Sequence, residues 1–202
     1  MLAPGAEPVA IVGSDMAALV ARLPEARCIG VDMPIGLPER GVRECDRLAK
    51  AFVGVRRNSV FMTPPRRVLA AASYAAANEI APELFGAKIS QQAWALRRII
   101  AVVEAIADDR VIEVHPEVSF RAMAGEPLPD AKTTWNGQAL RRRLLREAGI
   151  ELPEDVGEAA AVPPADVLDA AAAAWSARRC ASGDACSLPP GAKHGDRQVI
   201  WY

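Results

Sequence analysis

The sequence predicts one α/β domain over residues 1–202, and three observations lead to this prediction. The chain is 51% hydrophobic and 24% charged, which is typical of a globular protein and excludes a disordered chain. Its first part reads strand, helix, strand, which is the pattern of an α/β fold. A mainly helical segment, about residues 39–109, then leads into a further β-branched strand.

The first elements follow from short apolar runs. Pro8–Gly13 (PVAIVG) is an apolar run between Pro and Gly and is predicted as a strand. Ser14 and Asp15 are good caps for a helix over Met16–Leu23. The next strand is Cys28–Met33, which ends at the carboxylate of residue 32 and is broken by the PIGLP segment that follows.

The later elements are predicted from apolar spacing in the same way. The helical segment carries two clear helical patterns, and a loop of unusual composition lies between them. In order, the predictions are a helix over Arg43–Val53, a loop over Arg56–Arg67, a helix over Ser90–Ala107, a strand over Arg110–His115, a short helix after Pro116, a helix over Gly137–Ala148, a loop over residues 151–164, a helix over Ala165–Arg179 and a strand over Gln198–Tyr202.

Charge and hydropathy exclude several classes of protein. A net charge of −1 means that nucleic-acid binding would need a local basic patch. No apolar run reaches the roughly 18 residues of a membrane span, so we expect no membrane association. The first ten residues lack a basic segment followed by an apolar core, so we expect no secretory signal and a cytoplasmic protein.

The four cysteines form no recognisable motif in the sequence. Cys28, Cys45, Cys180 and Cys186 make no C-x-x-C pair, and the two histidines add no ligand cluster. We therefore interpret all four thiols as reduced packing residues.

Carboxylates on apolar elements are the candidate catalytic residues. Asp32 ends a strand, Glu113 lies within a strand, and Asp166 and Asp169 share one face of a helix. Converging carboxylates repel one another unless a divalent cation lies between them, and oxygen ligands favour Mg²⁺ or Mn²⁺. Simpler interpretations stay open: a strand-end Asp accepts loop hydrogen bonds, Asp166 favours a helix N-terminus, and Glu113 pairs with an arginine.

The loop predicted over Arg56–Arg67, which we call the basic loop, is the candidate substrate-binding segment. Arginine matches the geometry of phosphate, and the aromatic ring of Phe61 can stack on a base. The alternative is a solvated connection whose arginines pair with acidic residues of the chain, and we interpret the helix containing Arg141, Arg142, Arg143 and Arg146 as a solvated face. The candidate residues of the loop are Arg56, Arg57, Asn58, Ser59 and Arg66.

Two other chemistries lack their motifs. The chain has no G-x-S-x-G nucleophile elbow for His115 to serve. It also has no G-x-x-x-x-G-K-[ST] loop and no G-x-G-x-x-G after a strand, which argues against a nucleotide-phosphate loop.

Six motifs, in order, resemble those of a known bacterial and archaeal family. They are VDMPIGL at residues 31–37, RNSVF at 57–61, SQQA at 90–93, EVHPE at 113–117, DVLDA at 166–170 and the closing IWY at 200–202. The family is the domain of unknown function 429, described as predicted nucleases with a ribonuclease H-like fold. The resemblance implies a ribonuclease H-like mixed sheet flanked by helices, with a helical insertion at about residues 39–109.

The resemblance also implies roles for individual residues. Asp32 matches a metal-binding carboxylate on the fourth strand of ribonuclease H-like enzymes, and Asp166 and Asp169 match a helix that presents two aspartates to the metals. Glu113 lies on the fifth strand as a ligand or a base, and Arg57 is the expected phosphate clamp. The expected reaction is hydrolysis of a phosphodiester bond in nucleic acid, with two divalent metals bound.

One departure from the family pattern leaves an alternative open. Family members open with a G-V-D-G strand and a glycine-rich hairpin, and here Pro8–Gly13 takes the place of the third strand, so the resemblance implies a chain that lacks the first two strands. The exposed edge at Pro8–Gly13 predicts a homodimer. The alternative function is a catalytically impaired protein that binds nucleic acid or plays a structural role. A phosphoryl-transfer enzyme of the actin-like fold is a third hypothesis, disfavoured by the missing phosphate-loop glycines.

Overall fold

Helices make up most of the regular structure in this computed structural model, which describes residues 1–2, 7–106 and 108–202. The described residues also include two short 3-10 helices, Gly54–Ser59 and Gly157–Ala161. The α-helices are α1 (Met16–Ala21), α2 (Glu44–Phe52), α3 (Arg66–Leu69), α4 (Tyr74–Leu84), α5 (Gln91–Ala95), α6 (Arg97–Ala105), α7 (Pro116–Ala124), α8 (Trp135–Glu147) and α9 (Pro164–Ser182). None of these helices is long and apolar enough to cross a membrane.

In the described part of the chain, four short strands form two pairs, which one bridge links into a small mixed sheet. They are β1 (Ile29–Val31), β2 (Val111–Glu113), β3 (Ser187–Leu188) and β4 (Ile200–Trp201). β1 and β2 are parallel, with Val31 opposite Glu113, while β3 and β4 are antiparallel. A parallel bridge between Val114 and Trp201 joins the two pairs in the order β1, β2, β4, β3. The prediction of a mixed α/β fold is therefore confirmed.

The predicted strand at Pro8–Gly13 is wrong. These residues have no strand structure, and Val9 instead exchanges backbone hydrogen bonds with Met1, at 2.7 and 3.1 Å. The physical reason is that apolar strand residues need neighbouring side chains to pack against, whereas Val9 and Val12 are 49% and 39% exposed. The homodimer was predicted from an exposed strand edge at Pro8–Gly13, and these residues form no strand. Residues 3–6, within the segment used to judge a secretory signal, lie outside the described residues.

Other elements differ from the predictions in their boundaries. The helix predicted over Ser90–Ala107 is divided at Leu96 into α5 and α6, and its predicted last residue lies outside the described residues. The basic segment predicted as a loop contains a 3-10 helix and α3, and the acidic segment at 151–164 contains the second 3-10 helix. Asp15 caps α1 as expected, because its side chain accepts a hydrogen bond from Ala18.

The alanine-rich helix α9 packs directly on β1. Gly30 makes this close packing possible, because a Cβ atom at residue 30 would lie 2.7 Å from the carbonyl oxygen of Ala173. On its other side α9 packs against α7, where the hydroxyl groups of Ser119 and Ser176 form a buried hydrogen bond of 2.7 Å. This packing brings the N-terminal half of α9 to the carboxyl ends of β1 and β2, where open α/β sheets have their sites.

Candidate active site

A cleft of about 420 Å³ opens at the carboxyl ends of β1 and β2. Its lining includes the residues that follow the two parallel strands, the basic 3-10 helix, the connection at 131–133 and Asp169 of α9. The ionisable side chains in its lining include Asp32, Glu113, His115, Glu117, Lys132, Asp169 and Arg56.

Asp32 is the carboxylate of the cleft that solvent reaches. It follows β1 directly and is exposed, although protein atoms surround much of its carboxyl group. Partial desolvation raises the pKa of Asp32; His115 and Lys132 act in the opposite direction, while the charge of Asp169 raises the pKa further. A cation bound between Asp32 and Asp169, in addition to Lys132, would compensate their charges and reduce the repulsion between them.

Asp169 lies on α9 and is ion-paired. Its Oδ2 accepts a hydrogen bond from Nζ of Lys132 at 2.5 Å, and its side chain is 14% exposed. Burial raises the pKa of Asp169 despite the opposing effect of Lys132. Burial acts to lower the pKa of Lys132, but Asp169, Asp32 and Asp166 together raise it above its ordinary value. Lys132 is thus paired with Asp169 and also feels the charges of Asp32 and Asp166.

Asp166 does not line the cleft. It is exposed in the first turn of α9, where a negative charge interacts favourably with the helix dipole. Among the residues that the structure describes, Asp32, Asp166 and Asp169 do not form a group whose oxygens all lie within 4.8 Å of one another. Of the four candidate carboxylates, Asp32, Glu113 and Asp169 therefore line the cleft. The role of Asp166 as a ligand stays a prediction.

Glu113 reaches the cleft inside a buried ion pair. Both its oxygens accept hydrogen bonds from Arg43 at 2.7 Å, and Oε2 also accepts one from the amide of Ile35 at 2.7 Å. Burial raises the pKa of the Glu113 carboxyl, against the effect of Arg43. This is the simpler of the two interpretations that the sequence left open, since its hydrogen bonds are satisfied within the protein.

Arg43 and Asp46 complete this ion-pair network. Arg43 also donates to Asp46 at 2.5 and 3.2 Å, and Asp46 accepts a hydrogen bond from the amide of Thr63 at 2.8 Å. Cys45, Asp46 and Glu113 are spaced like a metal site. However, the Arg43 guanidinium already bonds both carboxylates and supplies the positive charge that a cation would bring.

Glu117 is neutralised in the same manner by Arg141. One nitrogen of Arg141 donates to both oxygens of Glu117 at 2.7 Å, and another donates to the carbonyl of Gly137 at 3.0 Å. Arg141 is fully buried, so its assignment to a solvated helix face is wrong, whereas Arg142, Arg143 and Arg146 are exposed as predicted. The physical reason is that Glu117 compensates the buried charge.

The basic segment divides between the cleft and the protein surface. Arg56, Asn58 and Ser59 line the cleft. Arg56 also donates to the carbonyl oxygens of Leu128, at 3.2 Å, and Pro129, which fixes the 3-10 helix to that segment. Arg57 is exposed and outside the cleft lining, and Arg66 pairs instead with Glu104 at 2.9 Å and Glu39 at 3.5 Å.

Residues 5–194 match the family described as Protein of unknown function (DUF429). The chain belongs to this family. No curated protein and no solved structure matches the chain. The function of this DUF429 protein therefore has to be inferred from the geometry of its cleft.

Two cleft residues of this DUF429 protein carried little signal in the sequence. His115 lies in the EVHPE motif, but the sequence offered it only a hydrolase role that lacked a nucleophile. The structure places it beside Asp32, with a buried Nδ1 that has no hydrogen-bond partner in the described part of the chain. Lys132 lies in a connection without regular structure, and no local pattern singled it out.

Proposed function

We propose that this DUF429 protein is a Mg²⁺- or Mn²⁺-dependent phosphodiester hydrolase that acts on nucleic acid, with a ribonuclease H-like arrangement of its sheet. The observation that carries the proposal is the pair Asp32 and Asp169, which share a cleft and whose carboxyl pKa values are both raised. Two carboxylates that are costly to keep charged without a cation are suitable donors for a hard divalent ion.

The donor set of the cleft fits one such ion. Magnesium is commonly held by one or two carboxylates together with waters and phosphate oxygens of the substrate. Asp32 and Asp169 supply the carboxylates, because Glu113 and Glu117 are engaged by buried arginines. When bound, the ion would polarise the phosphate and lower the pKa of a water molecule.

Other residues of the cleft are suited to bind the substrate. We assign to Lys132 a move from Asp169 to a phosphate oxygen once a cation neutralises that carboxylate. Arg56 and Asn58 also line the cleft and can bind the phosphate backbone, while Phe61 can stack on a base. His115 lies near Asp32, where its imidazole can accept or donate a proton at the reacting oxygen.

A second candidate function is binding of nucleic acid without catalysis. It is favoured by the ion pair between Lys132 and Asp169, since a lysine at 2.5 Å already compensates the second carboxylate. With Glu113 and Glu117 also paired to arginines, only Asp32 would then need a counter-charge. The two functions differ in whether Asp32 and Asp169 bind a divalent ion.

Titration with Mn²⁺ by isothermal calorimetry separates the two candidates. We expect one carboxylate-dependent site that is lost in Asp32→Asn and Asp169→Asn. Asp184→Asn is the matched control, because Asp184 is exposed beyond the opposite end of α9. Asp166→Asn tests whether the carboxylate of Asp166 also contributes to Mn²⁺ binding. Cleavage of single-stranded DNA, duplex DNA, RNA and a branched junction in Mg²⁺ then identifies the substrate. Mn²⁺ binding that is absent, or is unchanged in Asp32→Asn, would contradict the hydrolase and favour the binding protein.

A further inference from the structure

A second group of possible ligands lies outside the cleft. Sγ of Cys28, Sγ of Cys180 and a ring nitrogen of His194 all lie within 4.8 Å of one another. The two cysteines are half-buried and the histidine is exposed, so the group is open to solvent on one side. These three residues are widely separated in the chain and share no sequence motif.

The fold brings the three side chains together through the packing of α9 on β1. Cys28 comes directly before β1, and Cys180 lies in the last turn of α9. The close contact at Gly30 keeps these two elements together, and both cysteines pack against the apolar cluster of Ile112, Val114, Ala173, Val199 and Trp201.

His194 is presented by a closed turn. The amide of Lys193 donates to the Asp196 carboxylate at 2.7 Å, and the amide of Asp196 donates to the Lys193 carbonyl at 2.9 Å. Gly195 has φ = +95°, a conformation that allows the tight turn and that other residues rarely adopt. These hydrogen bonds order the turn, which places the imidazole of His194 beside the two thiols.

We propose that Cys28, Cys180 and His194 form a Zn²⁺ site with a water in the fourth position. Two thiolates and one imidazole are soft and borderline donors, which zinc prefers and magnesium does not. Three ligand atoms that lie within 4.8 Å of one another are close enough to share one tetrahedral zinc ion. The group of Cys45, Asp46 and Glu113 differs because Arg43 already occupies it.

The position of this site suggests what it contributes. Cys28 and Asp32 flank the two ends of β1, and Cys180 and Asp169 lie on the same helix, 11 residues or about 16 Å apart. A bound Zn²⁺ would tie β1 to α9, the two elements that carry the proposed magnesium ligands, without entering the cleft. The zinc site shares no ligand with the proposed hydrolase centre, so either proposal can fail alone.

The test uses the full chain, reduced and freed of metal with a chelator. After Zn²⁺ is added and the excess is removed, we expect one Zn²⁺ per chain by elemental analysis, and a thiolate-to-metal charge-transfer band when Co²⁺ replaces Zn²⁺ as the probe. The thiol protons pass to the buffer on binding, so calorimetry in two buffers of different ionisation enthalpy measures their release. Zn²⁺ should also raise the melting temperature of the chain.

Three variants and one control decide the outcome. Cys28→Ser, Cys180→Ser and His194→Ala should each weaken Zn²⁺ binding by more than the 10- to 100-fold that follows loss of an outer hydrogen-bond partner. Cys186→Ser, at an exposed cysteine outside the group, should bind Zn²⁺ as the original chain does. Asp32→Asn should also retain zinc, which separates this site from the cleft.

Three results would overturn the zinc site. They are a Co²⁺ spectrum without a thiolate band, unchanged Zn²⁺ affinity in Cys180→Ser and His194→Ala, and a Cys28–Cys180 disulfide that persists in reductant. Circular dichroism reports whether the cysteine variants fold. If either does not, His194→Ala decides, because its side chain is exposed on a turn closed by backbone hydrogen bonds.

Discussion

Nζ of Lys132 lies 2.5 Å from Oδ2 of Asp169, in the cleft that also contains the solvent-exposed carboxylate of Asp32. In this arrangement the lysine competes with any divalent cation for the same oxygen. Lys132→Met should therefore tighten Mn²⁺ binding roughly threefold to tenfold, equivalent to about 1 kcal/mol of lost competition. It should also slow phosphodiester cleavage, because the phosphate loses a cation. Calorimetry and a nuclease assay measure the two effects, with the exposed Lys88→Met as the control. Weaker Mn²⁺ binding would show that the amine does not compete.

Asp32→Asn should abolish Mn²⁺ binding and cleavage while leaving the free energy of unfolding unchanged or higher. The pKa of the Asp32 carboxyl is raised by desolvation and by Asp169, so its charged form costs more in the metal-free fold than in the unfolded chain. A neutral amide removes that cost. Urea unfolding with and without Mn²⁺ measures it. A variant that is strongly destabilised, yet still cleaves nucleic acid, would make Asp32 a structural residue.

The buried ion-pair network of Arg43 is expected to dominate the stability of the cleft wall. Arg43→Met leaves Glu113 and Asp46 buried without their cation, and we expect it to cost about 3–5 kcal/mol of unfolding free energy. Adding Glu113→Gln should restore part of the loss. Arg40→Met is the control, since Arg40 pairs with Glu83 at the surface and should cost about 0–1 kcal/mol. Equal losses in the two arginine variants would contradict this account.

The carboxylate of Glu104 should stabilise the fold at neutral pH, and this stabilisation should be lost in acid. Burial acts to raise the pKa of Glu104, but the amide of Gly36 and the guanidinium groups of Arg66 and Arg197 bring it below its ordinary value of 4.5. Because the folded pKa is the lower one, the stabilisation is present above pH 4.5 and is lost as the pH falls through the folded pKa. Glu104→Gln should reduce stability at pH 7 and flatten its decline toward pH 3. Thermal unfolding across that range measures both, and an unchanged acid slope in the variant would assign the decline to other carboxylates.

Much of the α/β pattern could be predicted from local sequence. The strands at Cys28–Met33 and Arg110–His115 and the helix at Ala165–Arg179 are found as β1, β2 and α9, with shifted ends. Apolar runs and helical spacing are local properties of the sequence, so they predict these elements without knowledge of the segments that pack against them. The same reasoning placed Asp32 at a strand end, and the sheet brings it to the cleft with Asp169 because parallel strands end at one edge.

Other features depend on contacts between residues far apart in the chain. Pro8–Gly13 has a strand-like composition, but it is not a strand, because pairing and not composition makes one. From the sequence Glu113 is a candidate metal ligand or base and Arg141 a solvated surface cation, yet each is buried against an opposite charge contributed by another segment.

The cysteines show the same division between sequence and tertiary structure. Cys28 and Cys180 are 152 positions apart and carry no local signal, and only the packing of α9 on β1 brings their sulfur atoms beside His194. Local sequence was enough to predict most of the helices and the two parallel strands, since backbone propensity and apolar periodicity act over a few residues. The tertiary structure decided which charges and thiols meet, because burial compensates a charge or assembles a ligand group only where distant segments pack together.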